Sequence, residues 1–169
     1  LTFNLIYLSR MEEGQTQISM IEFPFSEVTE EAAQSFQNLA KVKGKDFKVD
    51  IEPMLTFKGD EKAIRQLLSI LLDNAVKYCT EQGQIKLNVS HKGKNIILSV
   101  YNTAQELTKE NIDHLFDRFY RTDESRNSQT GGYGIGLSVA KAVVETHHGK
   151  ITASSEDGRS LLITVILKM

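Results

Sequence analysis

The sequence predicts a two-layer α/β sandwich built on antiparallel strand pairs. Residues 85–89 and 96–100 alternate apolar and polar side chains on either side of a glycine-containing turn, which is the pattern of a β-hairpin. Residues 151–153 and 161–167 repeat this pattern through Asp157-Gly158. The helical patterns are segregated from the strand pairs and do not alternate with single strands. This order favours helices packed against an antiparallel sheet over a doubly wound parallel sheet.

Composition indicates one ordinary globular domain. The 169 residues are 40% hydrophobic and 25% charged, which is enough to bury a core. A net charge of −2 gives no basic surface for nucleic acid. The single cysteine, Cys79, forms no internal disulfide, fits a reducing compartment and is predicted to be an inert packed thiol. No apolar run approaches the roughly 20 residues of a membrane span.

The first part of the chain predicts a helix end, a strand and a second helix. Residues 1–13 carry leucines at helical spacing, and we interpret them as the end of a longer helix that stops near Gly14. Residues 18–25 predict a short strand that Pro24 interrupts. Residues 29–42 have the spacing of an amphipathic helix.

Two further strands are predicted before the main helix. Residues 47–51 and 54–57 are expected to form a pair joined through Pro53. Asp60 then has the chemistry of a helix N-cap.

Residues 61–78 form the strongest helical pattern, EKAIRQLLSILLDNAVKY. Ile70, Asn74 and Lys77 are spaced by four and three, so they lie along one stripe beside the apolar face. An asparagine oxygen suits one position on Mg²⁺, and an ammonium suits a polyphosphate. On an isolated helix, the alternative of solvated boundary residues is favoured for Asn74 and Lys77. The predicted core face consists of Ile64, Leu67, Leu68, Leu71 and Ala75.

A long polar segment precedes a glycine-rich turn and another helix. Residues 101–107 predict a loop, and Thr108 predicts the cap of a helix. The apolar positions of that predicted helix are Ile112, Leu115, Phe116 and Phe119. A polar segment then leads into the helix expected over 134–147. Alternating glycines before a helix let the backbone approach a ligand, and the helix N-terminus favours an anion such as phosphate. The alternative is a flexible surface loop with a glycine-rich turn.

Three motifs in this order resemble sensor histidine kinases. LLSILLDNAVKY resembles the N box, FDRFYR the F box and GGYGIGL the second glycine box. The resemblance covers residues 18–169. It implies the Bergerat ATP-binding sandwich, with a mixed, mostly antiparallel sheet covered by three helices on one face. NLIYLSRMEEG resembles the end of the second helix of the kinase dimerisation domain, so residues 1–14 are assigned to that domain and 15–169 to the catalytic domain.

The resemblance also implies roles for individual residues. Asn74 matches the Mg²⁺ ligand, Lys77 a phosphate contact and Tyr78 the aromatic residue beside adenine. Tyr120 and Arg121 match the pair that reaches the ribose and phosphates. The residues of the second glycine box that line the phosphates correspond to Gly132, Gly134, Ile135, Gly136 and Leu137.

The sequence departs from the family pattern at four positions. Asn102 replaces the aspartate that reads adenine, and Ala104 and Glu106 replace the glycines of the first glycine box. An amide oxygen still accepts a hydrogen bond but lacks the charge, so we expect weaker affinity or base selectivity. Ile70 stands where related hydrolytic ATPases carry a glutamate, which argues against activation of water.

The implied function is transfer of the ATP γ-phosphate, with Mg²⁺, to a histidine on a dimerisation domain. The isolated chain is expected not to phosphorylate itself, because none of its four histidines has the helical, acidic context of an acceptor. Implied partners are that dimerisation domain and a response regulator receiver domain. The chain is expected to be a monomeric cytoplasmic domain of a homodimeric parent anchored in the cell membrane.

Two other classes of function fit the sequence less well. The altered first glycine box would also suit a nucleotide-binding scaffold without catalysis, against which the intact N box and second glycine box argue. A dinucleotide-dependent enzyme would place its glycines directly after a strand of a parallel unit, and here they follow a polar loop. A Walker-type loop would need Lys-Ser or Lys-Thr after the glycines, which is absent.

Overall fold

The computed structural model describes residues 20–117 and 136–169, which form seven strands and four helices. The strands are β1 (Ile21–Pro24), β2 (Asp46–Ile51), β3 (Thr56–Gly59), β4 (Gln84–Lys92), β5 (Asn95–Thr103), β6 (Lys150–Ser154) and β7 (Ser160–Lys168). The helices are α1 (Phe25–Val42), α2 (Glu61–Tyr78), α3 (Lys109–Asp113) and α4 (Gly136–Thr146). The predicted helix over residues 1–13 lies outside the described residues.

Five strands form one mixed sheet in the order β2-β4-β5-β7-β6. Only the β2–β4 pair within it is parallel, and the pairs β4–β5, β5–β7 and β6–β7 are antiparallel. Both predicted hairpins are confirmed. The predicted fold class, an α/β sandwich on a mostly antiparallel sheet, is confirmed as well.

The predicted pairing of β2 with β3 is wrong. β2 pairs with β4, while β3 pairs with β1 in a separate two-stranded sheet. The residues between β2 and β3 do not form a hairpin turn, because Ser26 Oγ forms hydrogen bonds at both ends of this connection. This hydroxyl donates to the Glu52 carbonyl at 2.6 Å and accepts from the Leu55 N–H at 2.9 Å. Met54, between those residues, has a left-handed φ of 66°.

The three long helices pack on one face of the sheet. α2 lies between α1 and α4 and also contacts β5. Every residue of the predicted α2 core face is buried, as are Ile70, Leu72 and Val76. Alternate residues of β4, β5 and β7 face these helices, while the residues between them are half-buried or, like Asn88 of β4, exposed. None of the described helices is both long and apolar enough to cross a membrane.

Several boundaries differ from those predicted. The helix after Thr108 is shorter than its apolar pattern predicts, since α3 ends at Asp113, before Leu115 and Phe116. α1 begins at Phe25, four residues before the predicted start, because Pro24 takes the N-cap position with an extended backbone. β5 continues through Asn102 and Thr103, which were predicted to lie in a loop, since both pair with β7. The bounds of α2 agree with the sequence prediction, and Asp60 caps it through a 3.2 Å hydrogen bond from the Ala63 N–H.

His147 joins the end of α4 to the beginning of α2. Its Nε2 accepts a hydrogen bond from the Asp60 N–H at 3.0 Å, so the proton is on Nδ1, which donates to the Val143 carbonyl at 2.8 Å. The ring is buried and lies 5.7 Å from that of Phe57, centroid to centroid. A Cβ on Gly59 would meet this imidazole within 3 Å, so the site has no room for a further side chain. The imidazole therefore links α2 to α4 at the end opposite Asn74.

Replacing His147 with phenylalanine should lower the free energy of unfolding by about 1–3 kcal/mol, because the Asp60 N–H loses its acceptor. His147→Gln should recover part of that loss, since its amide oxygen can accept the same hydrogen bond. Urea denaturation of the two variants measures the difference. Equal stability of the two variants would show that the hydrogen bond from Asp60 contributes nothing.

Candidate nucleotide-binding site

The C-terminal half of α2 carries the amide side chain of Asn74. Asn74 is half-buried, and its side chain makes no hydrogen bond to any residue in the described ranges. Ile70 lies one turn earlier on the same stripe and is buried, with 8% of its surface exposed. Asn74 is therefore the first polar residue of this stripe. The free amide oxygen of Asn74 is suited to a cation or a ligand held at this end of the helix.

Lys77 lies on the same helix and forms an ion pair with Asp73. Its Nζ lies 3.0 Å from Asp73 Oδ2, four residues earlier. Both side chains are partly exposed, at 33% and 44%, so solvent screens the pair and it stabilises the helix only weakly. Sequence reasoning missed Asp73, although its i, i+4 spacing to Lys77 was a readable signal. The pair leaves Lys77 able to exchange its carboxylate partner for a phosphate.

The end of β5 lies beside the end of α2. The Thr103 carbonyl accepts a hydrogen bond from the Thr80 N–H at 3.2 Å, just after α2 ends. The Thr103 hydroxyl lies 2.9 Å from the Thr80 hydroxyl and accepts from the Gln84 N–H at 3.0 Å. Thr103 was not identified from the sequence, because its partners lie about twenty residues away. These bonds bring Asn102, the residue before Thr103, next to the N box.

Asn102 is a buried amide with a fixed orientation. Only 2% of its surface is exposed, and its Nδ2 donates to the Thr103 carbonyl at 3.0 Å. A carbonyl oxygen can only accept, so the atom facing it is the nitrogen and Oδ1 is the remaining acceptor. Among the residues that the structure describes, no donor reaches this Oδ1. A buried acceptor without a donor is costly, so this oxygen is available to accept a hydrogen bond from a ligand.

Ala104 and Glu106, which replace the glycines of the first glycine box, are not strained. Neither residue has a positive φ, so a side chain fits the local backbone at both positions. The Ala104 N–H donates to the Arg159 carbonyl at 2.8 Å, and the Leu107 N–H donates to the Gly158 carbonyl at 2.7 Å. This loop is therefore held against the β6–β7 turn.

The start of α4 lies against α2. A Cβ on Gly136 would come 3.6 Å from Ile70 Cγ2, which is ordinary contact. Leu137 packs against the core and is half-buried. The remaining predicted contacts lie outside the described residues: Tyr120, Arg121, Gly132, Gly134 and Ile135. The structure thus brings Asn74, Lys77, Asn102 and Gly136 to the region around the C-terminal half of α2.

No group of three or more His, Cys, Asp or Glu side chains that could bind a metal occurs within residues 20–117 and 136–169. A cation there would have to take ligands from single oxygens and from a bound anion, as Mg²⁺ with a polyphosphate does. The Asn74 amide, which has no partner among the described residues, fits that requirement.

Cys79, at the end of α2, is buried with its Sγ 3.5 Å from Thr103 Oγ1, so its thiol is packed in the protein interior.

His114, two residues before the F box, forms a pair with Asp117, the last described residue of that box. Asp117 Oδ2 lies 2.7 Å from His114 Nδ1. This hydrogen bond is the main cause that raises the pKa of His114 above its ordinary 6.5, with smaller charge effects from Asp117, Glu110 and Asp113. Because the folded pKa is raised, the stabilisation is complete below the unfolded pKa and is lost as pH rises through the folded pKa.

An NMR titration of the His114 ring should therefore give a pKa above the ordinary histidine value. Asp117→Asn should lower this pKa more than Asp113→Asn does, although each substitution removes one negative charge nearby. An equal effect of the two variants would show that the hydrogen bond to Asp117 is not the main cause.

Comparisons with known proteins agree with this geometry. Residues 59–169 match the family described as histidine kinase-, DNA gyrase B- and HSP90-like ATPases. The chain is 34% identical over 166 residues to the sensor histidine kinase YkoH of Bacillus subtilis, covering 98% of this chain and 35% of that protein. It is 32% identical over 153 residues to the sensor protein DltS of Streptococcus agalactiae, covering 90% and 38%.

A solved structure shares the whole fold. The Acinetobacter baumannii histidine kinase AdeS superposes with a TM-score of 0.80 at 25% identity, covering 100% of this chain and 77% of that one. The chain spans little more than a third of the length of the curated relatives it matches. The family model covers more than half of the chain, and the family predicted from the three boxes is confirmed. This chain belongs to the histidine kinase-, DNA gyrase B- and HSP90-like ATPase family and is the catalytic ATP-binding domain of a bacterial sensor histidine kinase.

Proposed function

We propose that this domain binds ATP with Mg²⁺ at the C-terminal half of α2 and delivers the γ-phosphate to a histidine on the dimerisation domain of its parent protein. The observation that carries the proposal is the pair of unpartnered amide oxygens. Within the described residues, Asn74 has no partner and the buried Asn102 Oδ1 has no donor. A nucleotide bound with its metal supplies a partner for each.

Each residue has a distinct role in this proposal. Asn74 supplies one oxygen ligand to the metal, and Asn102 Oδ1 accepts a hydrogen bond from the adenine amino group. Lys77 exchanges Asp73 for a phosphate oxygen, which charge complementarity favours. Mg²⁺, when bound, neutralises charge on the phosphates. The remaining contacts are assigned to Tyr78, Tyr120, Arg121, Gly132, Gly134, Ile135, Gly136 and Leu137.

The chemistry is transfer and not hydrolysis. Ile70 is buried and apolar where a general base would be needed on α2, so this helix has no group at that position to activate water. The domain contributes positioning and charge stabilisation, which supply most of the catalysis in phosphoryl transfer.

We infer that the phosphate acceptor is outside this chain. Three of the four described histidines are engaged elsewhere: His91 with Glu52 at 2.6 Å, His114 with Asp117, and His147 in the core. The fourth, His148, is exposed in the turn after α4 and has no helical, acidic context. The acceptor would be on the dimerisation domain, to which we assign residues 1–14, and a response regulator receiver domain would take the phosphate next. We place the chain as a monomeric cytoplasmic domain of a homodimeric parent anchored in the cell membrane.

The test is transfer of label from γ-labelled ATP. The chain alone should incorporate no label, whereas addition of the dimerisation domain of its parent should give label on that domain that is stable to base and labile to acid. Label on the chain itself would contradict the absence of an acceptor. ATP binding without transfer to the added domain would favour the non-catalytic scaffold.

A further inference from the structure

Lys45 caps the C-terminus of α2 from the turn between α1 and β2. Its Nζ donates to the Val76 carbonyl at 2.6 Å and to the Cys79 carbonyl at 2.9 Å. Val76 and Cys79 are buried, while the lysine side chain is partly buried. Lys45 is more than thirty positions from either carbonyl in sequence, so this contact exists only in the folded chain.

These two carbonyls have no helical partner. In a continuing helix the Val76 carbonyl would accept from the Thr80 N–H, but that N–H donates to Thr103 of β5. Cys79 is the C-cap, with an extended backbone, and no backbone N–H in the described part of the chain donates to its carbonyl. An ammonium suits this position because the C-terminus of a helix carries partial negative charge.

The backbone around Lys45 is itself anchored to the segment that follows α2. The Lys45 N–H donates to the Ala40 carbonyl at 2.9 Å, and the Asp46 N–H donates to the Gly83 carbonyl at 3.0 Å. The Gly83 N–H in turn donates to the Thr80 carbonyl at 2.9 Å. Because these backbone hydrogen bonds fix the turn that carries Lys45, its ammonium group can keep the last turn of α2 in one position.

We propose that Lys45 is a positioning residue for the base-binding end of the nucleotide site. This inference rests on the proposed function, because Lys77 and Tyr78 lie between the two carbonyls that Lys45 binds. Thr103 holds the same segment from the other side and carries Asn102 beside it. Without Lys45, the last turn of α2 would lose its cap. The position of the Tyr78 ring relative to Asn102 would then no longer be fixed.

Position and charge make different predictions for ligands of different charge. If Lys45 acts through geometry at the base, its removal weakens every ligand that contains adenosine by the same factor. If it acts as a nearby positive charge, the loss grows with the number of phosphates.

The experiment compares Lys45→Met with Lys48→Met by calorimetric titration well below their melting temperatures. Lys48 is exposed on β2, so its replacement removes the same charge without removing a cap. The ligands are adenosine, ADP and a non-hydrolysable ATP analogue with Mg²⁺. Lys45→Met should weaken all three by about tenfold, the size expected for lost charge-assisted hydrogen bonds. Lys48→Met should change none of them by more than about twofold.

Lys45→Arg should restore most of the affinity, because a guanidinium can donate to two carbonyls. Lys45→Gln is a second uncharged variant and replaces Lys45→Met if that variant does not fold. Unchanged affinity in the uncharged variant, or a loss that increases from adenosine to the ATP analogue, would overturn the role of Lys45 alone. Failure of the unmodified chain to bind any of the three ligands would overturn the proposed function, and the role of Lys45 with it.

Discussion

Replacing Asn74 with alanine should weaken Mg²⁺-dependent binding of an ATP analogue by roughly a hundredfold, the upper range for loss of a hydrogen-bonding group that acts on a charged partner. The amide is half-buried and has no protein partner within the described residues, so its removal breaks no described hydrogen bond. The fold should therefore remain intact, and calorimetric titration should report the loss of ligand contact directly.

Asn88→Ala is the matched control for this variant. Asn88 lies exposed on β4, away from the helices, so the same chemical change there should leave the affinity unaltered. Melting temperatures of both variants should stay close to that of the unmodified chain. Equal affinity of Asn74→Ala and Asn88→Ala would show that Asn74 does not contact the metal or the nucleotide.

Replacing Leu68 with alanine should lower the free energy of unfolding by about 2–5 kcal/mol. Leu68 is fully buried on α2, the helix that contacts α1, α4 and β5. The substitution removes buried apolar surface and leaves a cavity that close-packed neighbours fill only in part. Denaturant unfolding followed by circular dichroism measures this loss.

Leu39→Ala makes the same replacement on α1 at a side chain that is 37% exposed. Little surface is lost there, and alanine favours the helix, so the expected change is less than about 1 kcal/mol. Equal stability of the two variants would show that the Leu68 side chain of α2 contributes no more to the core than an exposed side chain of α1 does.

Local signals in the sequence were sufficient to predict α2 and both hairpins. The apolar spacing of α2 and the side chain of Asp60 define the helix within a few neighbouring residues. The helix cap predicted at Thr108 is equally local and is confirmed, since its hydroxyl accepts a 3.1 Å hydrogen bond from the Asn111 N–H. Such elements need no information from distant parts of the chain.

Strand pairing between β2 and β4 could not be predicted in the same way. The partners are separated by the whole of α2, and the sequence between β2 and β3 resembled a hairpin connection. The decisive contact is Ser26 Oγ, which lies more than twenty residues before the two backbone groups that it binds. Apolar alternation identifies a strand but does not identify its neighbour.

In the candidate site, too, features that depend on neighbouring residues were predictable, and features that depend on distant contacts were not. The positions of Asn74 and Lys77 on one helix followed from their spacing, and their partly buried setting agrees with that prediction. The burial of Asn102 and the cap from Lys45 depend on packing between separate elements, so no local pattern in the sequence predicts either. The predictions for residues 118–135 stay predictions.

The most direct test of the account is a calorimetric titration of the unmodified chain with a non-hydrolysable ATP analogue, performed with and without Mg²⁺. Binding at one site per chain that is strong with Mg²⁺ and much weaker without it would support the proposed roles of Asn74 and Asn102. No binding in the presence of Mg²⁺ would contradict the account, because the two amide oxygens would then have no nucleotide to partner them.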